Sequence, residues 1–284
     1  FTDDEICPAI MKVTISILKE AKKNGQKFSV VSCYDYTMAK LAFAAGINVL
    51  LVGDSASQFT LGFGDTKSIS MDFMIAITSA VRRVSPELFV IADMPYQGSR
   101  TQKDTVNNAR RYINECGADI VKIEAAESDF DTIKAVIDAC VPVVPHLGIR
   151  PQTGQYKAEG TTAEVGAKII ELAQKSLEIG AQMLLLEGTA REVAKIIAQK
   201  LPIPVIGCGS GPDCDGQVLV LPDILSLKDG PSPKFAKSFG DIGKKSVQAL
   251  SLYNQEITNG CFPDDNHSYH MKPGELEKLL QLIK

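Results

Sequence analysis

The stretch INVLLVG, residues 47–53, is an almost continuous apolar run that ends abruptly in Asp54 and Ser55. Comparable runs recur along the whole chain: FSVVSC (28–33), LFVIAD (88–93), DIVKIE (119–124), VPVVPH (141–146), QMLLLE (182–187), IPVIGC (203–208) and VLVLPDIL (218–225). Runs that are apolar throughout are typical of parallel strands buried on both faces. The sequence therefore predicts eight buried parallel strands.

Segments with helical periodicity separate these runs, among them VNNARRYINECGA, FDTIKAVIDAC, EVGAKIIELAQKSLEIGA and AREVAKIIAQKL. Their apolar residues recur three or four positions apart, as expected of helices packed on a sheet. Eight such units predict an α/β fold, a (β/α)8 barrel. An open doubly wound sheet is the alternative, but CYDYTMAK follows the first strand where that fold carries a Gly-x-Gly-x-x-Gly turn.

The length of 284 residues fits either one large barrel or two smaller domains. No linker rich in Pro, Gly or Ser divides the chain, so we predict a single barrel domain over 1–284. A short N-terminal extension is expected over about 1–11 and a C-terminal helical tail over about 268–284. The pattern DIGKKSVQALSLYNQEITNG predicts another helix before that tail.

Composition excludes several classes of partner. The net charge is −4 with Lys and Arg dispersed, so no basic patch for a nucleic acid is apparent. No window approaches the roughly 18 consecutive apolar residues of a membrane span. The N-terminal FTDDEICPAI lacks the features of a signal peptide, although a chain that begins at Phe1 can lack its true start. We expect a soluble protein of the cytoplasm, or of an organelle matrix in a eukaryote.

Cysteine and histidine offer little chemistry. The seven cysteines are odd in number and scattered without a C-x-x-C pair, which favours reduced thiols over a zinc site or a dithiol redox pair. The three histidines, His146, His267 and His270, leave little for a histidine-based metal site or triad.

Polar residues stand at the ends of the predicted strands. In a (β/α)8 barrel the C-terminal strand ends form the face that carries the active site. The residues at these ends are Cys33 and Asp35, Asp54 and Ser55, Asp93, Lys122 and Glu124, His146, Glu187 and the glycine-rich GCGSG (207–211). We therefore expect one site at this mouth.

Lys122 and Glu124 are two positions apart on one strand, so both side chains point to the same face, toward the mouth. Asp54, Asp93 and Glu124 together could supply oxygen ligands for a divalent ion, and carboxylates without histidine or thiolate favour Mg²⁺. The alternative is that Asp54 caps the next helix or pairs with Lys122.

Glu187 ends an apolar strand, where poor solvation raises the pKa of a carboxyl group toward the range useful to a general base. It could instead cap the following helix or form an ion pair there. His146 could donate to an oxyanion or hydrogen-bond a loop.

Together these segments resemble the ketopantoate hydroxymethyltransferase family in order and spacing over roughly residues 12–267. The resemblance is carried by YDYTMAKLAFAAGINVLLVGDS, IADMPY, GADIVKIEAAE, VPVVPHLGIRPQ, QMLLLE, IPVIGCGSGPDCDGQVLV and PKFAKSF. It implies a barrel of the phosphoenolpyruvate/pyruvate type. The implied reaction transfers a hydroxymethyl group from 5,10-methylenetetrahydrofolate to 3-methyl-2-oxobutanoate, for pantothenate and coenzyme A synthesis.

The resemblance also implies roles for single residues. Asp54 and Asp93 are similar to the family's Mg²⁺ ligands, with Glu124 near the ion directly or through water. Ser55 and Lys122 correspond to family residues that contact the carboxylate and carbonyl region of the keto acid. His146 corresponds to a hydrogen-bond donor on the substrate side. Glu187 matches the base that takes the C3 proton. Rings stacked into a homo-oligomer, typically a decamer, are implied as well.

The chain departs from the family pattern near the mouth. Residues 56–58 are Ala-Ser-Gln rather than Leu-Gly-Met, Ile77 replaces a histidine, and Gly188 and Thr189 follow Glu187. The Gly-Gly-Tyr segment is shortened to TGQYKAEGTT, with Thr161 where an arginine is common. These changes keep open a related metal-dependent transferase or aldolase that enolises a different 2-oxo acid.

Two other classes fit less well. A carbon–carbon lyase or phosphonopyruvate-type mutase of the same barrel superfamily commonly carries a Lys-Lys-Cys-Gly loop, which does not occur here. A non-catalytic barrel predicts loss of the carboxylates at the mouth, yet Asp54, Asp93, Glu124 and Glu187 are all present.

Overall fold

The computed structural model describes residues 12–154, 157–228 and 230–284, so the extension predicted over about 1–11 lies outside the described residues. Parallel strands close into a barrel in chain order. They are β1 (Phe28–Ser32), β2 (Val49–Val52), β3 (Phe89–Asp93), β4 (Ile120–Glu124), β5 (Val143–Gly148), β6 (Leu184–Glu187), β7 (Val205–Cys208) and β8 (Gly216–Val220). Because β1 pairs with both β2 and β8, the sheet has no open edge. The predicted (β/α)8 barrel is confirmed.

Helices follow the strands as the apolar periodicity predicts. Along the barrel they are α1 (Ile15–Lys23), α2 (Tyr36–Ala44), α3 (Ala56–Phe59), α4 (Met71–Arg82), α5 (Gln102–Cys116), α6 (Phe130–Asp138), α7 (Ala163–Glu178), α8 (Arg191–Lys200) and α9 (Leu221–Ile224). Local chemistry sets the ends of α5: the hydroxyl of Thr101 accepts from the backbone N–H of Asp104 at 3.1 Å, and Gly117 ends the helix at φ 65°.

The eighth strand lies earlier than predicted. The apolar run 218–225 predicts the strand, whereas β8 begins at Gly216 and ends at Val220. At Gly216 a Cβ atom would lie 2.4 Å from Cε2 of Phe28, so this close approach requires glycine and hides the strand's start from an apolar pattern. Pro222 has no N–H for the ladder, and the chain turns into α9 instead.

Helix α1, for which we made no prediction, covers the N-terminal end of the barrel. Leu18 packs into the same apolar cluster as Val30 of β1. The ammonium of Lys22 donates to the carbonyl of Ala198 and to Oδ2 of Asp215, both at 2.7 Å. Asp215 directly precedes β8, so α1 is tied to the end of the barrel opposite the expected site.

Apolar side chains fill the barrel interior. One from each strand belongs to a single buried cluster: Val30, Leu51, Ile91, Ile120, Val144, Leu185, Ile206 and Val218. Such layers of branched side chains make a packed core rather than a pore. Ligands can therefore enter only from above this layer.

The chain divides into two compact units. The first holds the barrel up to Ile224 and resumes over Gly230–Lys237. The second has a short segment beginning at Leu225 and then Ser238–Lys284, which contains α10 (Ile242–Thr258) and α11 (Glu275–Leu282). Within the described ranges, no helix has both the length and the apolar character that crossing a bilayer requires.

Candidate active site

A second layer of inward-facing positions lies above the apolar cluster. Because side chains alternate along a strand, the residue two positions after each interior residue also faces into the barrel. These positions are Ser32, Gly53, Asp93, Lys122, His146, Glu187, Cys208 and Val220. The polar strand ends noted in the sequence therefore meet at one mouth.

Asp93 and Lys122 form a buried ion pair in this layer. The ammonium of Lys122 donates to both carboxylate oxygens of Asp93, at 2.8 and 2.7 Å. Burial alone would lower the pKa of Lys122, but the carboxylates of Asp93, Asp54 and Glu124 raise it above its ordinary value. Lys122 is therefore a permanent cation at the mouth, and its partner is Asp93 rather than Asp54.

Asp54 and Glu124 are held by Gln152, a residue of the loop after β5 for which the sequence predicts no role. The Gln152 side chain donates to Oδ2 of Asp54 at 2.8 Å and to the carbonyl of Met94 at 2.9 Å. Its backbone N–H donates to Oε1 of Glu124 at 2.9 Å, and Thr153 donates to Oε2 at 3.2 Å. Asp54 thus bonds Gln152 and does not cap α3.

Asp54 and Asp93 stand next to each other. The backbone N–H of Asp54 donates to Oδ2 of Asp93 at 3.1 Å, and both side chains are buried. Burial and the neighbouring charge of Asp93 raise the pKa of Asp54 well above its ordinary value. A bound cation would relieve this repulsion, which matches an oxygen-ligand site for a hard divalent ion.

Glu187 faces His146 across the mouth. Oε2 of Glu187 lies 3.5 Å from Nε2 of His146. Burial raises the pKa of Glu187 to about 7. Burial, and then the charges of Lys122 and Arg150, lower the pKa of His146 well below its ordinary value. His146 is therefore a neutral imidazole near neutral pH, while Glu187 can take up and release a proton there.

Neither ring nitrogen of His146 makes a hydrogen bond of good geometry in the described part of the chain, although the side chain is fully buried; the polar groups beside it are Oε2 of Glu187 at 3.5 Å and the backbone of Ile149. Such a group is unusual in a folded protein unless a ligand completes its hydrogen bonding. The backbone of Ile149, in the loop after β5, lies beside the imidazole, so the alternative that His146 bonds a loop stays open. Glu187 does not cap α8, whose N-cap is Ala190.

Ser55 lies at the same mouth, directly after Asp54. The hydroxyl of Tyr34 is 2.8 Å from Oγ of Ser55, and the Tyr34 ring stacks on Phe59 with centroids 6.2 Å apart. Burial raises the pKa of Tyr34, so this residue is a neutral hydroxyl. Tyr34 also had no predicted role, because its partner becomes a neighbour only when β1 and β2 pair.

Three other polar residues at the predicted strand ends have structural rather than catalytic roles. Asp35 is the N-cap of α2, accepting from the backbone N–H of Met38 at 2.8 Å. Burial raises the pKa of the Cys33 thiol to about 12, so this cysteine is not a nucleophile. In GCGSG, Ser210 donates to the carbonyl of Leu186 at 2.8 Å and accepts from the N–H of Thr189 at 3.1 Å. This serine ties the loop after β7 to the residues around Glu187.

The residues at which the chain departs from the family pattern are partly buried in helices and partly exposed at a groove. Ala56 and Ser57 are buried in α3, and Ile77 is buried on α4. Thr161 is exposed, and it lines an open groove with Arg150 and other residues of the loop before α7.

A sequence model described as ketopantoate hydroxymethyltransferase matches residues 12–265. The chain belongs to this family. Curated relatives cover nearly all of it. A 3-methyl-2-oxobutanoate hydroxymethyltransferase from Syntrophomonas wolfei is 37% identical over 273 residues, covering 94% of this chain and 99% of the relative. Another from Moorella thermoacetica is 40% identical over 263 residues, covering 91% and 98%. Membership of the ketopantoate hydroxymethyltransferase family confirms the prediction that this protein is an enzyme.

Solved structures show the same barrel at low sequence identity. The crystal structure of 2,3-dimethylmalate lyase, a member of the PEP mutase/isocitrate lyase superfamily, superposes with TM-score 0.60 and 18% identity, covering 95% of this chain and 93% of that one. Phosphonopyruvate hydrolase in complex with oxalate and Mg²⁺ superposes with TM-score 0.58 and 14% identity, covering 95% and 97%. This ketopantoate hydroxymethyltransferase family member therefore shares its closed parallel barrel fold with these two structures.

The predicted metal ligands are not arranged as a ready-made cage. Among the residues that the structure describes, no three His, Cys, Asp or Glu side chains converge as a metal site. Glu124 is turned to Gln152 and Thr153, which leaves Asp54 and Asp93 as the adjacent carboxylates. Mg²⁺ commonly uses one or two carboxylates, with waters and substrate oxygens completing its shell. This donor pair fits Mg²⁺, and the assignment of all three ligands stays a prediction.

Proposed function

We propose that this protein transfers a hydroxymethyl group from 5,10-methylenetetrahydrofolate to 3-methyl-2-oxobutanoate, giving ketopantoate for pantothenate and coenzyme A biosynthesis. The observation that carries the proposal is the Glu187 carboxyl group, with a pKa of about 7, facing the neutral, fully buried His146 above a closed apolar core. Membership of the ketopantoate hydroxymethyltransferase family and the names of the curated relatives support it.

Glu187 acts as the general base. Its carboxylate takes the proton from C3 of the keto acid, and the electron pair left behind moves toward the C2 carbonyl. C3 then forms the new carbon–carbon bond to the methylene carbon, one bond of that carbon to a folate nitrogen breaks as the new bond forms, and water displaces the other; tetrahydrofolate leaves with one proton on each nitrogen, one from C3 and one from water. The hydroxyl oxygen of the product comes from water, because the methylene group of the folate carries none. A base with a pKa near the working pH is the most effective for such a step.

The other mouth residues bind and orient the acid. Lys122 is a permanent cation that attracts the keto-acid carboxylate, and Ser55 donates a hydrogen bond to it. His146, a neutral imidazole 3.5 Å from Glu187, donates to the carbonyl side as charge develops on oxygen. Each group stands on or directly beside a strand end, so the reactants are held in one geometry.

Mg²⁺ would be held by Asp54 and Asp93, with Glu124 close by through water or directly. When bound, the ion would withdraw electron density from the 2-oxo and carboxylate oxygens of the substrate. Gln152 keeps Asp54 and Glu124 in place through its hydrogen bonds at 2.8 and 2.9 Å. Outer partners of this kind orient the ligands of a metal site.

The test of the proposed function is proton exchange at C3 of 3-methyl-2-oxobutanoate, followed by NMR in D₂O. With Mg²⁺ alone, we expect exchange of the C3 proton. When tetrahydrofolate and formaldehyde are added, we expect ketopantoate to form. With EDTA, we expect neither exchange nor ketopantoate. Exchange without ketopantoate would mean that the keto acid is right and the one-carbon donor wrong. Without exchange, the proposal fails, and a panel of other 2-oxo acids tests the related enolising enzyme that the altered residues near the mouth leave open.

Replacing Asp54 with asparagine should weaken Mg²⁺ binding. Loss of a residue that only orients metal ligands costs about 10- to 100-fold in affinity, so loss of a ligand should cost at least as much. Mn²⁺ binding followed by electron paramagnetic resonance, without substrate, measures this directly. Asp131→Asn, at an exposed acidic residue in the first turn of α6, is the control. Unchanged Mn²⁺ affinity in Asp54→Asn would refute its assignment as a ligand.

Assembly into a homo-oligomer, a decamer by family expectation, belongs to the proposal. Helix α10 has no buried residue, and its large apolar side chains Val247, Leu250 and Tyr253 are 64%, 66% and 58% exposed. An apolar surface of this kind commonly marks an interaction site. Light scattering gives the mass in solution, and a monomer would contradict this part of the proposal.

A further inference from the structure

Arg150 is a cation beside the mouth that no residue in the described ranges neutralises. It lies in the loop after β5, two positions before Gln152, and is partly buried. Its side chain forms no hydrogen bond and no ion pair within the described part of the chain, and its charge is close enough to His146 to lower the pKa of that imidazole. A guanidinium group carries five N–H donors, so one without partners can bind a carboxylate.

The Arg150 side chain stands where two cavities adjoin. The inner cavity, of about 200 Å³, begins at Gly148, the last residue of β5, and its walls are largely apolar. Its apolar lining residues are Leu147, Val165, Ile169 and Leu172. The outer groove, of about 520 Å³, includes Lys157 and Thr161. Arg150 lines both cavities, and the outer groove has the volume of a cofactor site.

The wall of the outer groove is bonded to the residues that follow the base. The backbone N–H of Glu159 donates to the carbonyl of Gly188 at 3.0 Å, and the N–H of Ala190 donates to the carbonyl of Glu159 at 2.9 Å. Gly188 directly follows Glu187. The groove therefore lies beside the strand end that carries the base, so a long ligand that fills it can extend into the mouth.

The charges and the apolar wall together select a kind of ligand. In the outer groove, Arg150 and Lys157 supply two positive charges against the one negative charge of Glu159. In the inner cavity, Lys168 donates to Glu127 at 2.8 Å, so these two charges offset each other. An apolar cavity that continues into a cationic groove suits a molecule in which an aromatic ring is followed by carboxylates.

We propose that these cavities hold the tail of the folate co-substrate, with its aminobenzoyl ring along the inner cavity and a glutamyl carboxylate bound to Arg150 in the outer groove. The inference rests on the proposed function in one respect: that the second reactant is a folate. In the family pattern an arginine is common at position 161, where this chain has Thr161 on the same groove. Arg150 thus supplies the guanidinium of the groove from a different position.

The first test compares tetrahydrofolate with its diamide, in which both glutamyl carboxylates are amides, by anaerobic calorimetry without the keto acid. The wild type should bind tetrahydrofolate roughly tenfold more tightly than the diamide, because the diamide lacks the charged hydrogen bond. In Arg150→Gln this ratio should fall below about threefold, whereas a general loss of structure would weaken both ligands and keep the ratio. No binding of tetrahydrofolate, equal binding of the two ligands by the wild type, or an unchanged ratio in Arg150→Gln would overturn the proposal.

Arg83→Gln is the matched control, because it removes the same charge at an exposed arginine that ends α4. The neighbouring Arg82 bonds Asp119, which directly precedes β4, so this position lies at the barrel end opposite the mouth. The ratio should stay within about twofold of the wild-type ratio. A fall as large as that in Arg150→Gln would show that only the overall charge of the protein matters, and would overturn the site.

A second variant restores the charge from the other position. Thr161 is exposed, so an arginine there needs no space in the core, and it lines the same groove. Arg150→Gln combined with Thr161→Arg should raise the ratio again to about fivefold or more. Failure to recover any preference for the acid over the diamide would overturn the placement of the carboxylate in this groove.

The two proposals fail separately. If the ligand ratios respond as expected but C3 of 3-methyl-2-oxobutanoate does not exchange and no ketopantoate forms in the wild type, the groove is supported and the proposed reaction is wrong. If ketopantoate forms from tetrahydrofolate and formaldehyde but the wild type binds the acid and the diamide equally, the reaction is supported and the groove is wrong.

Discussion

Glu187→Gln is expected to lower the rate of C3 proton exchange by a factor of about 10² to 10⁴ or more, while the affinity for the keto acid stays within about threefold. Glutamine keeps the size of the side chain and its contact with His146 but cannot accept the proton. Exchange by NMR and binding by calorimetry separate the two effects. Glu192→Gln, at an exposed glutamate in the first turn of α8, should leave both unchanged.

The pH dependence of the C3 exchange rate tests the role of Glu187 a second time. Because burial raises the pKa of Glu187 to about 7, the basic form is the minority below that pH and the majority above it. The exchange rate should therefore rise about tenfold per pH unit below about 7 and level off above it. If the rise of the exchange rate with pH persists unchanged in Glu187→Gln, the base is another residue. The same conclusion follows if Glu187→Gln loses exchange and keto-acid binding equally while the fold stays intact.

Lys122→Met is expected to cause the largest loss of stability of any substitution at the mouth, about 3–5 kcal/mol in the free energy of unfolding. Both oxygens of Asp93 accept from this ammonium, at 2.8 and 2.7 Å, and Asp54 lies beside them. Removing the cation leaves two neighbouring buried carboxylates without compensation. Urea unfolding in EDTA measures the effect without a metal that could take the place of the lysine.

A second substitution shows that the charge, rather than the packing of the lysine chain, is responsible. Lys122→Met combined with Asp93→Asn removes the uncompensated charge and should recover part of the lost stability. Lys134→Met, which breaks an exposed pair with Asp138 on α6, is the surface control and should change stability little. A double variant less stable than Lys122→Met alone would contradict the electrostatic explanation.

Several features of the fold could be predicted because they depend on local periodicity. Runs apolar at every position predict strands covered on both faces, and the helical segments between them predict the covering layer. The two-residue spacing of Lys122 and Glu124 places both in one strand face, and both side chains are indeed buried there. The eighth strand was misplaced because its first residue, Gly216, carries no apolar signal; its close approach to Phe28 explains it only in three dimensions.

The choice of partners at the mouth could not be predicted in the same way. Gln152 reaches Asp54 across 98 positions and Glu124 across 28, and no local pattern encodes such a contact. Tyr34 meets Ser55 only because β1 and β2 pair side by side.

By itself, the sequence determined that this protein is a (β/α)8 barrel and which carboxylates, lysine and histidine stand at the strand ends, because side-chain alternation and strand direction are local properties of the chain. Only the tertiary structure decided that Lys122 pairs with Asp93, that Gln152 holds Asp54 and Glu124, and that burial brings the pKa of Glu187 to about 7. Distances and desolvation exist only after the barrel has closed.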